Sequence, residues 1–532
     1  MNDAAAVLVL AAGALTTVLG GMRWLRVAQR EHYLPGRATR IARLWLSRSR
    51  LDAGLAAAAW LLAVVACVGP LQTSAAAAGI LAAALAAVLP RGLGIRGRTS
   101  TLAWTGRLRR LAVAWVILVL LGGSLLAWLL GPAAVAVVAV TVPLSVDVAS
   151  VVMGVVEKRL SAPFVARAQR RLAKVRPQVV AVTGSYGKTS TKGYIAHLLA
   201  GTTAVVASPA SFNNRLGLSR AVNDGLVEGT EVFVAEMGTY GPGEIRELCT
   251  LFPPTVAVIT TIGEAHLERM GSRETVLAAK SEITEMARTV VLPVDDPGLA
   301  ALADTCRAAG KRVLTCAVRG GDARDGGPQE VDDERPDVDV LVDLSAHEVV
   351  VRDGATVHVL ALGTAVPHGV NLAVAVGVVL AVGADVASIA GRLGALPRAA
   401  HRAEVQESGT GLLVVDDTYN ANSIGARAAL DEAAALATAR GGGLVVVTPG
   451  IVELGPVQRE RNRAFAAAAA AAGAHLVVVG RTNREALVAG AVEGGGTYDV
   501  VDLRAQAVPL GTAAAGVGGV ILYENDLPDH YP

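Results

Sequence analysis

The sequence predicts a helical membrane domain followed by two α/β domains. Long apolar runs fill the first 155 residues, and from residue 178 onward short β-branched runs alternate with alanine-rich segments. A glycine-rich loop joins the first β-branched run to a helix. Strands that alternate with helices are typical of a largely parallel sheet covered on both faces. A chain of 532 residues is long enough for three or four domains.

The first 155 residues contain five apolar stretches, each long enough to cross roughly 30 Å of hydrocarbon as a helix. They are residues 4–22, 52–70, 73–90, 111–131 and 133–153. Eight arginines separate the first two stretches and six separate the third from the fourth, whereas the other two links are uncharged. The positive-inside rule then predicts an external N-terminus, with both arginine-rich loops and everything after residue 155 in the cytoplasm.

Two features of this domain have more than one interpretation. Asp147 lies inside the fifth stretch, where an ionisable group is costly and often functional. A carboxylate near a helix end, or one paired within the bundle, is the alternative. The arginines flank apolar spans, so we interpret them as topology determinants that contact anionic membrane lipids, and not as a nucleic-acid site.

The remaining chain is divided into a linker over 156–177, a central domain over 178–396 and a C-terminal domain over 397–532. Each α/β domain has its own series of predicted strands, and residues 341–362 resemble a β-hairpin. An acidic loop over 320–339 has no role that we can assign. The predicted strands are Val179–Val182, Ala204–Ala207, Val232–Glu236, Val256–Thr260, Val290–Leu292, Arg312–Thr315, Leu412–Val415, Leu444–Val447, Leu476–Val479 and Val520–Leu522.

The loop after the first of these strands is the strongest local signal. Residues 179–195 read VVAVTGSYGKTSTKGYI, a β-rich run followed by a glycine loop and an amphipathic helix. This arrangement suits a polyphosphate, because loop amides and the helix N-terminus point at the phosphates, a lysine adds charge and a hydroxyl can ligate Mg²⁺. A glycine turn without a ligand is the alternative. The predicted nucleotide-binding residues are Gly184, Ser185, Tyr186, Gly187, Lys188, Thr189 and Ser190.

Three further residues are candidates for the chemistry. Glu236 ends a buried strand, the usual place for a carboxylate that holds Mg²⁺ beside a phosphate-binding loop, although helix capping is an alternative. His266 follows another strand end, where a histidine is either a satisfied polar residue or a metal ligand. Lys280 lies on a predicted helix, where a lysine is normally a solvated surface residue.

Four motifs in order along the chain resemble the Mur ligase family. They read TGSYGKTST, AEMGTYGPGEI, IGEAHLERMGS with AKSEI, and DDTYNANSIGARAAL. The resemblance covers about residues 178–455 and is strongest to the branch that adds D-alanyl-D-alanine to UDP-MurNAc-tripeptide, the MurF type. It implies a P-loop central domain, a Rossmann-like C-terminal domain, and ATP with two Mg²⁺ ions as cofactors. The implied reaction forms an amide bond through an acyl phosphate.

The resemblance also implies catalytic roles for individual residues. Lys188 would hold the ATP phosphates, and Thr189 with Glu236 would ligate one Mg²⁺. His266 would ligate the second. Lys280 matches a family lysine that CO₂ carbamylates into an extra carboxylate near the metal. That chemistry suits a buried lysine, because CO₂ reacts only with a neutral amine and burial lowers the pKa of a lysine.

The other implied residues bind the nucleotide or the substrate. Arg402 would reach the phosphates from the C-terminal domain, and Asp417 would accept hydrogen bonds from the ribose hydroxyls. The residues that would shape the nucleotide pocket are Tyr419, Asn420 and Asn422, and those that would face the carboxylate substrate are Asn213 and Asn214.

The chain departs from the family pattern at three places. Five apolar spans stand where the family has a domain that recognises UDP. Thr261 replaces an expected asparagine and Pro293–Asp296 replaces an Asn-x-Asp-Asp segment, and we expect both changes near the base pocket. The C-terminal tail lacks the Lys-Gly-Ser-Arg segment that helps to bind the incoming amino acid, and its acceptors would suit an amine. Those acceptors are Glu524, Asn525, Asp526 and Asp529.

The sequence therefore predicts an ATP-dependent amide ligase at the inner face of the cytoplasmic membrane that acts on a cell-wall precursor and an amine donor. Loss of a UDP domain and gain of a membrane domain favour a lipid-linked acceptor. The ordinary D-alanyl-D-alanine-adding reaction, with membrane attachment only for location, is an alternative. An ATP-coupled transporter and a catalytically silent ATP-binding scaffold are alternatives from other classes, and the oligomeric state is left open.

Overall fold

The structure is a computed structural model that describes residues 3–68, 72–97, 102–209, 212–320, 338–363, 368–397, 403–408, 411–419 and 422–532. The chain divides into two units. A helical unit comprises Met1–Ser161 together with the short segments Gly480–Thr482 and Leu527–Pro532. An α/β unit comprises Ala162–Val479 and Asn483–Asp526.

The helical unit is built from apolar helices whose buried faces meet around tryptophan and small aliphatic side chains. The last helix continues into the α/β unit. The helices are α1 (Asp3–Arg30), α2 (Arg37–Ser47), α3 (Arg50–Val68), α4 (Gln72–Val88), α5 (Gly106–Leu130), α6 (Val135–Val140) and α7 (Val142–Val175).

Among the described residues, three helices are long and apolar enough to cross a membrane: Ala6–Arg30, Arg50–Val68 and Gly106–Leu130. Residues 132–140 and α7 add a fourth span if this pair, bent by 74°, is counted as one. The predicted third span corresponds to α4, which has 17 residues, and the predicted fifth span corresponds to the bent pair.

Asp147 holds the start of α2. The residue before that helix is Gly36, which has no side chain to cap it, and Asp147 on α7 supplies the missing acceptor. Its carboxylate accepts hydrogen bonds from the Ala38 amide at 3.1 Å and the Thr39 amide at 2.8 Å. A negative charge at a helix N-terminus is favourable because the unpaired amides there carry partial positive charge. The helix-end interpretation therefore accounts for this buried carboxylate.

The last six residues of the chain belong to the helical unit. The carboxylate of Asp529 accepts a hydrogen bond from Arg26 at 2.7 Å, and both side chains are buried. The His530 ring is fully buried, with its Nε2 atom 2.8 Å from a carboxylate oxygen of Glu31. Asp529 thus pairs with Arg26 inside the helical unit, and its expected role as a substrate acceptor stays a prediction.

The central domain is a nine-stranded sheet with helices on both faces and a separate apolar core under each face. The strand order is β2-β3-β1-β4-β5-β6-β7-β8-β9, parallel from β2 to β7 and antiparallel at the β7–β8–β9 end. The strands are β1 (Gln178–Thr183), β2 (Val205–Ala207), β3 (Val232–Glu236), β4 (Val256–Ile259), β5 (Thr289–Pro293), β6 (Arg312–Arg319), β7 (Val340–Asp343), β8 (Glu348–Asp353) and β9 (Thr356–Ala361). The helices are α8 (Lys188–Leu199), α9 (Arg215–Gly225), α10 (Glu244–Leu251), α11 (Leu267–Met270), α12 (Arg273–Ser281), α13 (Pro297–Ala308) and α14 (Gly369–Ala381).

The C-terminal domain is a six-stranded sheet in the order β10-β11-β15-β12-β13-β14. Only β10 is antiparallel to its neighbour, so the carboxyl ends of the other strands share one edge. The strands are β10 (Glu404–Glu407), β11 (Leu413–Asp417), β12 (Leu444–Thr448), β13 (His475–Val479), β14 (Tyr498–Val501) and β15 (Val520–Glu524). The helices are α15 (Ser423–Arg440), α16 (Gln458–Ala471), α17 (Arg484–Glu493) and α18 (Arg504–Ala515).

The predicted α/β class is confirmed, and every predicted strand is present. The prediction missed two edge strands, β10 and β14. The sequence EVQE of β10 is largely polar, and the YDVV segment of β14 is mostly exposed. Neither strand therefore carries the buried β-branched pattern from which the others were recognised.

Candidate active site

The site residues of the central domain meet because three neighbouring parallel strands end at one edge of the sheet. β1 lies between β3 and β4, with Val182 paired to Glu236 and Thr183 paired to Ile259. The loop after β1, the carboxylate at the end of β3 and the segment after β4 are therefore adjacent. Ligands of open parallel sheets bind at the carboxyl ends of the strands.

Two glycines allow the loop after β1 to approach its neighbours closely. A Cβ atom at Gly184 would lie 1.9 Å from the Thr260 hydroxyl. Gly187 has φ +76° and precedes α8, and a Cβ atom there would lie 2.0 Å from the buried Asn371 side chain. A residue other than glycine at position 187 is disfavoured for two reasons: its backbone conformation is left-handed, and its Cβ atom would clash with the Asn371 side chain.

The segment after β4 braces the phosphate loop. The Ser185 amide donates to the Thr261 carbonyl at 2.8 Å, and the Tyr186 amide donates to the Thr261 hydroxyl at 3.1 Å. The Gly263 amide donates to the Ser185 hydroxyl at 2.9 Å. Thr261 thus lies against the phosphate loop itself.

Two lysines converge on one loop carbonyl. Lys188 donates to the Gly184 carbonyl at 2.7 Å, and Lys280 on α12 donates to the same oxygen at 3.1 Å. The Lys280 side chain is 1% exposed. Burial, and next the neighbouring Lys188 ammonium, lower the pKa of Lys280 well below its ordinary value. Lys280 is therefore buried and is not the solvated surface lysine of the alternative interpretation.

Glu236 is the most heavily coordinated side chain of the site. One carboxylate oxygen accepts from the Thr189 hydroxyl at 3.0 Å and from the Lys192 ammonium at 2.9 Å. The other accepts from the Asn213 amide at 3.3 Å. Lys192 and Glu236 are both buried, so they form a buried ion pair. The sequence analysis missed Lys192, whose one signal was its position one helical turn after Lys188.

His266 contacts a residue of the C-terminal domain. Its backbone is left-handed, with φ +62°, at the start of α11. Its Nδ1 atom lies 3.1 Å from a carboxylate oxygen of Glu453, in the loop after β12. Burial lowers the pKa of His266, the Glu453 carboxylate raises it, and the Lys188 and Lys280 ammoniums lower it further. No sequence pattern indicated Glu453, which is 187 residues away from His266 in the chain.

The nucleotide residues expected from the C-terminal domain are partly visible. Asp417 ends β11 with its side chain buried, and its carboxylate accepts from the Ala403 amide at 3.0 Å. Tyr419 is 73% exposed, and Asn422 caps α15 by accepting from the Gly425 amide at 2.8 Å. Arg402 and Asn420 lie outside the described residues.

The other predicted substrate-facing residues make contacts within the α/β unit. Asn214 caps α9 by accepting from the Gly217 amide at 3.0 Å. Glu524 is fully buried beside the Thr448 hydroxyl, and burial and the Asp417 carboxylate raise its pKa to about 8 against the lowering effect of that hydroxyl. Asp526 is paired with Arg504 at 2.9 Å. Glu524 and Asp526 therefore each have a partner within the α/β unit, and the amine-binding role expected for the tail stays a prediction.

The donor set fits a magnesium ion. A hydroxyl and a carboxylate oxygen lie 3.0 Å apart at Thr189 and Glu236, and Mg²⁺ is usually held by one or two carboxylates together with substrate phosphates. Within the described ranges, no group of three or more His, Cys, Asp or Glu side chains is arranged to hold a metal ion. The residues thus suit a metal that enters with the nucleotide.

Family models match both α/β domains. The Mur ligase middle domain model matches residues 182–352, and the model described as Mur ligase, glutamate ligase domain matches residues 401–523. The UDP-N-acetylmuramoyl-tripeptide–D-alanyl-D-alanine ligase of Mycobacterium leprae is 37% identical over 273 residues, which are 49% of this chain and 50% of that protein. The enzyme of the same name from Bacillus subtilis is 43% identical over 116 residues, which are 22% of this chain and 25% of that protein.

Solved structures share the fold. MurF from Acinetobacter baumannii matches with a TM-score of 0.54 and 24% identity, over 68% of this chain and 77% of that one. The MurF ligase of Thermotoga maritima in complex with ADP matches with a TM-score of 0.52 and 23% identity, over 69% and 80%. The chain spans about half the length of the mycobacterial relative. Through its middle and C-terminal domains, which together make up more than half of its length, the chain belongs to the Mur ligase family.

Proposed function

We infer that this chain is an ATP-dependent ligase that joins a carboxyl group of a cell-wall precursor to an amine. The observation that carries this inference is the convergence at one sheet edge of the phosphate loop, the Thr189–Glu236 pair and the buried amine of Lys280. Family membership supports the reaction class. The names of the relatives, which the chain matches over half their length or less, suggest the kind of precursor.

The first step transfers a phosphoryl group. A carboxylate oxygen of the precursor attacks the γ-phosphorus of ATP, the bond to the β-phosphate oxygen breaks, and ADP leaves an acyl phosphate behind. Two anions must approach each other, so catalysis depends on positioning and on neutralising charge. Lys188 supplies a mobile positive charge, and the first turn of α8, which begins at Lys188, supplies backbone amides at a helix N-terminus.

The second step forms the amide. The amine nitrogen attacks the carbonyl carbon of the acyl phosphate, the bond from that carbon to the bridging oxygen breaks, and phosphate leaves while the nitrogen loses a proton. An acyl phosphate is also attacked by water, so the site must exclude it. The C-terminal domain contributes to this enclosure, because Glu453 and Arg461 both contact the segment that contains His266.

Thr189 and Glu236 would hold one Mg²⁺, and His266 with a carbamylated Lys280 would hold the second. When bound, the metals neutralise the phosphate oxygens and polarise the γ-phosphate. The lowered pKa of Lys280 supports carbamylation, because the neutral amine is the form that reacts with CO₂. Glu236 accepts hydrogen bonds from Thr189 and Asn213, which orient its carboxylate.

The acceptor is proposed to be linked to a lipid. Among the described residues, the three helices that are long and apolar enough to cross a membrane and the bent pair that could form a fourth span all end by residue 175, and the middle domain model begins at residue 182. A membrane anchor brings the ligase to substrates that are confined to the bilayer surface. The mycobacterial relative's name instead points to a nucleotide-linked precursor, and that substrate is the second candidate.

The membrane arrangement is part of the proposal. Five spans, an external N-terminus and cytoplasmic ligase domains fit the arginine-rich links after α1 and α4. External protease on intact cells would then leave the α/β unit uncut, whereas permeabilised cells would lose it. Cleavage within residues 178–532 in intact cells would refute this topology.

Isotope transfer tests the reaction. The full-length protein in detergent is given ATP, D-alanyl-D-alanine and a precursor whose reacting carboxylate carries ¹⁸O. If the reaction passes through an acyl phosphate, one ¹⁸O atom moves from the carboxylate into the released phosphate. UDP-MurNAc-tripeptide and a lipid-linked precursor are tested separately, and the one that gives labelled phosphate is the substrate. Lys188→Ala and Glu236→Gln serve as inactive controls. ADP release that is independent of any precursor, or phosphate that contains no ¹⁸O, would refute the proposal.

A further inference from the structure

Glu453 connects the C-terminal domain to the histidine of the candidate metal site. It lies in the loop after β12, where its own backbone is left-handed with φ +66°. One carboxylate oxygen is 3.1 Å from Nδ1 of His266, and the Glu453 carbonyl accepts a hydrogen bond from the Glu268 amide at 3.2 Å. Main chain and side chain of Glu453 thus both engage the segment that begins α11.

The carboxylate of Glu453 is fixed from a second side. Its other oxygen accepts a hydrogen bond from Arg269, whose guanidinium lies over the Tyr240 ring at 4.4 Å from the ring centre. The same Tyr240 ring meets His266 edge-on, with ring centres 5.4 Å apart. Arginine and tyrosine therefore hold the carboxylate and the imidazole in one geometry, and neither group can rotate without losing a partner.

The nitrogen that faces Glu453 determines what the other nitrogen can do. A carboxylate is an acceptor, so the neutral imidazole places its proton on Nδ1 and leaves the lone pair of Nε2 for a ligand. Histidines that bind metals usually donate their second N–H to a carboxylate or a carbonyl, which fixes the ring and raises its basicity. The positive charges of Lys188 and Lys280 act electrostatically on the His266 ring.

We propose that Glu453 is a positioning residue that orients His266 for a divalent metal ion, so that the C-terminal domain completes the second metal site of the central domain. The inference rests on the proposed function, because it assigns a role to a residue around that same site. Metal binding at His266 would then depend on the arrangement of the two domains, because His266 belongs to the central domain and the carboxylate that orients it belongs to the C-terminal domain.

A second ion pair between the two domains provides a matched control. Arg461 on α16 holds the Glu264 carboxylate through two nitrogens, at 2.9 and 2.7 Å. It connects the same domains and the same segment, but it does not contact the His266 ring. Arg461→Gln therefore weakens the interdomain contact without removing the acceptor of His266.

Manganese binding tests the proposal. The full-length protein in detergent is titrated with Mn²⁺ in the presence of a non-hydrolysable ATP analogue, and free Mn²⁺ is measured by electron paramagnetic resonance. We expect two Mn²⁺ ions per wild-type chain. Glu453→Ala should lower the affinity for the second Mn²⁺ ion about 10- to 100-fold, as loss of an orienting partner does in other metal sites. The affinity for the first Mn²⁺ ion should not change in Glu453→Ala. In Arg461→Gln, the affinities for both ions should equal those of the wild type.

Glu453→Asp separates orientation from folding and from charge. It keeps the negative charge and is one methylene shorter, so its carboxylate no longer reaches Nδ1, and we expect the same selective loss of the second ion. An unchanged second affinity in both variants, with loss in His266→Ala, would overturn the inference and leave the proposed ligase intact. One Mn²⁺ ion in the wild type would overturn the inference together with the second metal of that ligase.

Discussion

Replacement of Lys192 by methionine tests how the buried charge of Glu236 is balanced. The two side chains are 7% and 2% exposed, and their charged atoms are 2.9 Å apart. At an effective dielectric constant of roughly 20, two unit charges at this separation attract each other by about 6 kcal/mol. Methionine keeps much of the volume and removes the charge, so the buried Glu236 carboxylate would lose its counter-ion.

The expected cost follows from the partners that remain. Removal of one member of a buried ion pair destabilises a protein by about 3–5 kcal/mol. Thr189 and Asn213 still donate hydrogen bonds to Glu236 in the variant, so we expect about 3 kcal/mol. The double variant Lys192→Met with Glu236→Gln removes both charges, and it should be more stable than Lys192→Met alone because no unpaired charge is left.

Cysteines provide the assay. Cys249, Cys306 and Cys316 are buried in the central domain, so a thiol-reactive fluorophore reports its unfolding in detergent. A Cys67→Ser background removes the thiol of the helical unit. For a domain of this size each kcal/mol shifts the melting temperature by about 2–4 °C, so Lys192→Met should melt roughly 10 °C lower. A shift of less than about 2 °C, or a double variant as unstable as Lys192→Met, would refute the reasoning.

Four further outcomes are expected. The pKa of Glu524 is raised to about 8 in the folded protein, whereas its ordinary value is 4.5. Between pH 4.5 and pH 8 the folded state therefore keeps a proton that the unfolded state has lost, and the free energy of unfolding falls as the pH rises through this range. Glu524→Gln should remove this dependence and raise the melting temperature at pH 8. Gly187→Ala should weaken ATP binding, measured by calorimetry, because its Cβ atom would meet Asn371 and its φ is +76°. Asp147→Ala should destabilise the helical unit by about 1–2 kcal/mol in a melt followed by Cys67 labelling, with Asp147→Asn intermediate. In ¹³CO₂-saturated buffer, the wild type should show a carbamate carbon by NMR that is absent from Lys280→Met.

Most of the fold could be predicted from the sequence because its signals are local. The buried parallel strands are runs of β-branched residues, and the phosphate loop depends on glycines and a lysine that are neighbours in the chain. The apolar stretches were also recognisable in the sequence, but the angles between the helices that they form were not. The apolar run over 133–153 gave no sign of the 74° bend between residues 132–140 and α7.

The site was predictable only in part, for the same reason. Lys188, Glu236 and Lys280 were recognised from motifs, and the structure places Lys188 and Lys280 on one carbonyl oxygen. Lys192 and Glu453 were missed, because their partners lie 44 and 187 residues away and no local pattern marks a long-range ion pair. The internal use of the acidic tail was missed too, since a carboxylate that serves the fold and one that binds a substrate have the same sequence signature.

Lys280 shows how the charges of this site can be separated into those that stabilise the fold and those that do not. Lys192 is compensated by Glu236, so its charge is explained by folding. Lys280 has a single hydrogen bond to a carbonyl among its described contacts and an ammonium as its neighbour. Burial of an amine with one hydrogen bond and a positively charged neighbour is unfavourable, because a single hydrogen bond does not replace the hydrogen bonds that the amine makes with water. Folding alone therefore gives no reason for a lysine at this position, whereas the proposed reaction with CO₂ would. A carbamate would convert a destabilising amine into an anion beside Lys188, where a negative charge is favourable.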